Sequence, residues 1–299
     1  MRPGPSSLRA VALMALATIA FTGMHAMIRH VAVGLHPFEV AFWRNLLGLL
    51  LIAPYFVRYG LAPLRTARLS LHALRGAFNL VSMLCFFYAL TVTPLTEITA
   101  LTFTAPIFAA ALAVPILGER VGALRWAAIA CGFAGALVIL RPGFTTVGAG
   151  PVLALIAAVL WAFALLAIKS LARTESSITI TAWMMIMLAP LSLVAALPFW
   201  RWPDPGQYLW LVALAGLGTA GHLLMNQALK EGDTSLVAPV DFVRLIWAAA
   251  IGFLAFGEVP DGFTWLGGAM ICASAALIAY RERRRGATIR RGQIKGDRA

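Results

Sequence analysis

The chain reads as a succession of long apolar runs separated by short polar punctuation. Ten runs are found, at residues 9–30, 38–58, 73–93, 96–117, 122–140, 149–169, 178–199, 208–229, 235–256 and 263–280. Each approaches the roughly 20 residues that a helix needs to cross a ~30 Å hydrocarbon core. Within runs such as Val11–Met24 and Ile246–Phe256, apolar and polar positions do not alternate, which excludes the strands of a membrane barrel. A helix also closes its own backbone hydrogen bonds, which lipid cannot do for it. The breaks have chemical causes. At His36-Pro37, Thr93-Pro94, Pro142-Gly143 and Pro203-Asp204-Pro205-Gly206, proline removes a donor and disfavours helix in the residue before it. Pro106, inside the fourth run, predicts a bend. The expected fold class is an all-α integral membrane protein with ten transmembrane helices.

The pattern repeats. Sliding the chain by 139 residues places Gly118-Glu119 on Gly257-Glu258, Trp126 on Trp265 and Phe103 on Phe242; a shift of 140 places Arg29 on Lys169 and Phe21 on Trp161. Each half therefore holds five spans. An odd number forces two similar halves in series to enter the membrane from opposite sides, and basic residues test that, because Lys and Arg stay cytoplasmic. With both termini inside, 19 of the 24 Lys and Arg fall on the inner side, Arg75 among them; Arg29, Arg141 and Arg201 fall outside, and Arg44 and Arg244 lie within spans. Equivalent loops also reverse: Arg120 and Arg125 become Val259 and Thr264. The expected organisation is a cytoplasmic lead over 1–8, five-helix repeats over 9–145 and 146–281, and a basic cytoplasmic tail over 282–299, with the repeats inverted. Inverted repeats characterise secondary transporters, whose solute sites lie near the midplane between the halves.

Composition narrows this further. Hydrophobic residues make up 61% of the 299, charged residues 12%, and the mean hydropathy is +0.85, where a soluble chain carries about a quarter charged residues. The net charge of +12 would suggest nucleic acid in a soluble protein. Here eight of the basic residues follow Ala279, where they read as a topology signal and an anionic-lipid contact. Cys85, Cys131 and Cys272 all fall inside apolar runs without metal-ligand or disulfide spacing. The short basic lead precedes a run of full span length with no soluble domain after it, so that run is expected to stay as a span rather than be cleaved.

The whole chain resembles the drug/metabolite transporter superfamily of the EamA type, built of five plus five spans. The resemblance is carried by Pro37–Arg44 (PFEVAFWR), Leu74–Asn79 (LRGAFN), Tyr88-Ala89-Leu90, Leu117-Gly118-Glu119 and Ala238-Pro239. His36–Arg44 followed by Leu74-Arg75-Gly76 looks most like the bacterial S-adenosylmethionine uptake carriers. The resemblance implies a secondary transporter moving a small polar organic metabolite across the bacterial inner membrane by alternating access. The third, fourth, eighth and ninth spans would line its cavity. No phosphate-binding loop is present, so energy would come from a gradient or exchange. The alternative is a membrane-embedded enzyme acting on a lipid-linked or small-molecule substrate; the cluster of Asp, His or Lys at one face that such an enzyme needs is not visible.

Polar groups inside spans supply the candidate site, because a charge at mid-span costs about 2.5–3.5 kcal/mol on insertion scales and is placed toward the bundle interior. Asp241 and Arg244 lie three residues apart on one helical face and can pair, either as part of the site or as a structural ion pair. Arg44 can take Glu97 or Glu39 as partner, or clamp a solute carboxylate. His25 and His222 can titrate near neutral pH or simply pack. Asn226 shares a face with His222, Asn79 and Tyr88 are further candidates in the third span, and Trp247 could stack on a flat solute. Glu119 and Glu258 read as charges suited to helix N-termini. No catalytic residue, cofactor or metal is expected. The partners are a small-molecule solute and the lipid bilayer, with no nucleic acid, and a homodimer is left open.

Overall fold

The computed structural model describes residues 5–117, 123–142, 147–232 and 237–296. Its elements are α1 (Pro5–Val31), α2 (Pro37–Tyr59), α3 (Leu69–Val92), α4 (Leu95–Thr102), α5 (Ala105–Leu117), α6 (Ala123–Leu140), α7 (Ala149–Leu171), α8 (Ser177–Ala196), α9 (Pro205–Glu231), a 3-10 segment (Ala238–Val243), α10 (Arg244–Phe256) and α11 (Gly262–Gly296). Among the described residues, eight helical stretches are long and apolar enough to cross a membrane, and the shorter apolar stretches Trp126–Leu140 and Gly262–Ile278 complete ten spans. Large apolar side chains such as Leu50, Leu209, Ile246 and Leu254 face outward, while Glu39, Arg44, Asn45 and Arg75 are buried, the arrangement a lipid solvent demands.

The helix starts follow from local chemistry. His36 caps α2: its Nδ1 accepts from Phe38 N–H at 3.3 Å, and its own N–H donates to Glu39 Oε2 at 2.9 Å, so two otherwise orphaned donors are met reciprocally. Ser176 caps α8 by accepting from Thr179 N–H at 3.1 Å. Asp261 caps α11 by accepting from Thr264 N–H at 2.7 Å; this bond, with Arg141 beside it, holds the Asp261 carboxyl below its ordinary value. Gly257, at φ 66°, ends α10 in the left-handed conformation, which glycine adopts without strain.

Packing is swapped between the halves. Span one (α1) packs on span eight (α9), and span three (α3) on span six (α7); the second spans α2 and α8 pair, as do the fifth spans α6 and α11. A pseudo-two-fold relation between inverted repeats produces these exchanged pairs. Close approach of α6 and α11 depends on glycine. A Cβ at Gly135 would fall 2.7 Å from the Gly267 carbonyl oxygen, and one at Gly267 would fall 2.5 Å from that of Gly135.

Three expectations are corrected. The fourth span is not one bent helix. It breaks at Phe103-Thr104 between α4 and α5, because Pro106 has no N–H and its ring clashes with the carbonyl four residues earlier. The hydroxyls of Thr102 and Thr104 then take up the Thr99 and Leu101 carbonyls at 2.8 and 2.6 Å. The ninth span likewise changes from 3-10 to α-helix at Val243-Arg244, the same level once the chain is shifted by 139 residues. Arg75, counted with the inner connections, is buried within α3 at 1% exposure. Arg44 pairs with neither Glu97 nor Glu39. Glu39 is committed to the α2 cap and to the Arg201 N–H at 2.5 Å, and Glu97 sits in the first turn of α4, outside the chamber that Arg44 lines. Glu119 and Lys169 fall on residues or side chains outside those described.

Candidate functional site: a central cavity at two matched helix breaks

The two interrupted spans meet in the middle of the bundle. Phe103 and its repeat counterpart Phe242 stand edge to face, ring centroids 5.1 Å apart. Beside them lies a cavity of about 830 Å³, within the size range of small-molecule sites. It extends from the breaks to the end of the bundle that carries both termini, where Arg173 and Lys230 stand at its mouth. Its lining stops at His25 on α1 and Phe87 on α3.

Beyond that level the opposite end is closed. Arg29 at the end of α1 pairs with Glu258, donates to the Thr93 carbonyl at 3.2 Å and lies over the Phe256 ring at 4.8 Å. Glu258 also accepts from Leu95 N–H at 2.9 Å. A carboxylate thus meets the N-terminus of α4, where the helix dipole favours it. One ion pair therefore fastens α1, the α3–α4 junction and the end of α10. An aromatic cluster of Trp43, Trp200, Trp202 and Tyr208 packs at the same end, so Trp43 serves packing there.

Six of the ten expected residues come together in the cavity wall: His25, Arg44, Asn79, His222, Asp241 and Arg244. Asp241 and Arg244 form an ion pair, with the guanidinium over Phe21 at 5.3 Å and over Phe103 at 5.6 Å. Arg44 is 3% exposed; its Nη1 donates to Asn45 Oδ1 at 2.7 Å, and its Nε has no partner. His25 and His222 flank Phe21, at 6.5 and 5.0 Å between ring centroids, and each leaves Nδ1 without a partner.

The other four lie elsewhere. Tyr88 is 37% exposed and outside the lining. It is nine residues from Asn79, which puts it about 180° round the helix. Trp247 is 38% exposed and faces outward. Asn226 turns to α8 and donates to Thr181 Oγ1 at 3.0 Å, and Glu97 sits at the closed end. Trp161, like Trp247 a tryptophan whose sequence position allowed stacking on a flat solute or simple packing, does enter the wall. So do Phe21 and Phe103, together with Ser82, Met83 and Phe86 of α3, none of which was given a role from sequence. The signal for the first three was present, since the repeat pairs Phe21 with Trp161 and Phe103 with Phe242. In the structure, Phe21 and Trp161 both edge His222, at 5.0 and 6.3 Å.

An all-helical, multi-pass fold of two related halves, with interrupted spans meeting at a central chamber, defines a secondary transporter. Comparison with known proteins agrees. The chain belongs to the EamA-like transporter family, whose family model matches residues 8–141 and 148–280. A protein of Rhizobium johnstonii named "Riboflavin transporter" is 34% identical over 275 residues, covering 91% of each chain. An "S-adenosylmethionine uptake transporter" of Rickettsia prowazekii is 30% identical over 258 residues, covering 86% of this chain and 88% of the relative. A solved crystal structure covers 92% of this chain and 98% of its own at a TM-score of 0.64; at 22% identity it is a likeness of fold. The chain is a transporter of small molecules, and the enzyme reading is set aside.

Proposed function

We propose that the protein carries a small polar organic metabolite with an aromatic ring across the bacterial inner membrane by alternating access, using the central cavity as its solute site. The observation that carries this is a chamber built at two matched helix breaks, open at one end and closed at the other. With both termini cytoplasmic, as the basic residues argue, the present arrangement is open to the cytoplasm and the Arg29–Glu258 pair closes the periplasmic side. The repeats over 9–145 and 146–281 supply the two related arrangements between which the cavity changes sides. The wall supports an aromatic solute through Phe21, Phe86, Phe103 and Trp161, with Asn79, Ser82 and His222 to fix its polar edge. Riboflavin and S-adenosylmethionine, named for the relatives, both contain a flat heterocycle.

Uptake into proteoliposomes tests the reading. A panel of radiolabelled aromatic metabolites, riboflavin, riboflavin 5′-phosphate and S-adenosylmethionine among them, should reveal saturable flux of at least one, accelerated by the same solute inside. Folded protein with no saturable flux for any aromatic metabolite would overturn it.

A further inference from the structure

The charge of the cavity wall narrows what is carried, given the carrier reading above. Four cationic side chains line the chamber, Arg44, Arg173, Lys230 and Arg244, against one carboxylate, Asp241. Arg244 and Asp241 neutralise each other. Arg173 and Lys230 stand at the mouth, where water reaches them. The deep charge left without a carboxylate partner among the described residues is Arg44.

Its surroundings fix it in place. α9 closes over Arg44 at Gly218, where a Cβ would fall 3.1 Å from Arg44 Nε. Its hydrogen-bond acceptor is an amide oxygen, Asn45 Oδ1. The other end of that amide is held by the Ala41 carbonyl at 2.9 Å. An amide orients a guanidinium without cancelling its charge. Burying such a charge is costly unless a partner completes it, and at a chamber wall an entering solute can be that partner. A guanidinium presents a planar fork of donors matched to carboxylate and phosphate oxygens. The cations at the mouth add a field that draws anions inward. On the neighbouring walls, Phe21 and Trp161 offer ring surface.

We propose that the solute is an aromatic organic anion, its ionised oxyacid group seated on Arg44 and its ring against Phe21 and Trp161. A neutral heterocycle leaves Arg44 uncompensated, and a net cation enters a wall already in positive excess.

Matched ligands that share a ring and differ in charge test this on the purified full chain. Riboflavin is compared with its 5′-phosphate, and S-adenosylmethionine with S-adenosylhomocysteine, which lacks the sulfonium charge. The expected result is that the more anionic member of each pair binds at least about tenfold more tightly, with the difference shrinking as salt rises. Arg44→Gln should abolish the preference for the phosphate over riboflavin, and Arg44→Lys should restore part of it. Riboflavin binding as tightly as its phosphate would overturn the proposal. So would Arg44→Gln weakening riboflavin and its phosphate by the same factor. If Arg44→Gln does not fold, the ranking and salt dependence of the unaltered protein decide. Saturable flux of riboflavin with the phosphate excluded would sink this proposal and spare the carrier; folded protein with neither binding nor flux of any ligand would sink the carrier reading itself.

Discussion

Buried Arg44 and Arg75 and half-buried Arg244 show how one bundle accommodates cations within its spans by three routes. Arg244 takes a carboxylate three residues away. Arg75 donates to the Ile180 carbonyl at 2.9 Å and leans on the Met184 sulfur at 3.4 Å. Arg44 takes one amide oxygen and the space left by Gly218. Gly218→Ala tests that space. Its Cβ would fall 2.6 Å from Met24 Sδ and 3.1 Å from Arg44 Nε, atoms of long side chains that can shift. We expect a stability loss of about 1 kcal/mol with a larger proportional loss of solute affinity, read by thermal unfolding beside calorimetric titration. His36 carries a pH prediction at the closed end. Burial against Phe199, which it stacks on at 3.7 Å, pushes its pKa below 6.5, and its cap needs an unprotonated Nδ1. The unfolded chain therefore takes up the proton first as pH falls. The contribution is complete above pH 6.5 and is lost as pH falls through the lower folded value. Melting temperature should drop between pH 7.5 and 5.5, and His36→Asn, which can still cap, should flatten that part of the curve.

Among elements, the sharpest consequence lies where two backbones touch. Gly135 and Gly267 bring α6 and α11 so close that any side chain meets a carbonyl oxygen, and a backbone gives way less readily than a side-chain tip. Gly267→Val should cost more than Gly218→Ala, about 3 kcal/mol, visible as a lower melting temperature in detergent. Helix azimuth divides what was legible in the candidate site from what was not. On α3, Asn79, Ser82, Met83 and Phe86 follow the 3.6-residue period and line one face, so the misplacement of Tyr88 could have been avoided from spacing alone. Asn226 could not have been placed that way. It shares a face with His222, yet its amide is captured by Thr181 on α8, a partner 45 residues away that spacing does not reveal.

For the whole molecule, the closed end and the open end make opposite predictions. With native cysteines replaced by serine, a cysteine at Leu166, in the lining, should react with a membrane-impermeant thiol reagent from the face carrying the termini, and solute should protect it. A cysteine at Thr96, buried beside Glu258, should resist the reagent from the other face. Adding Glu258→Gln should expose it, because the charge that fastens α1 to α10 is gone. Equal labelling from both faces at Leu166 would mean that the chamber is not one-sided.

The ten spans, the five-plus-five repeat and its inversion were all readable from the chain, because hydropathy and the distribution of Lys and Arg are linear properties that lipid and topology read directly. The repeat even carried two of the aromatic pairs of the cavity. Tertiary structure decided the rest. It turned a bend at Pro106 into a break level with a second one at Val243-Arg244, exchanged helices between the halves, buried Arg75, and left Arg44 without the carboxylate that Glu97 or Glu39 would have supplied. These outcomes depend on which face of each helix meets which neighbour. That is fixed by packing between residues far apart in sequence, such as Gly218 over Arg44, and no periodicity along one helix contains it.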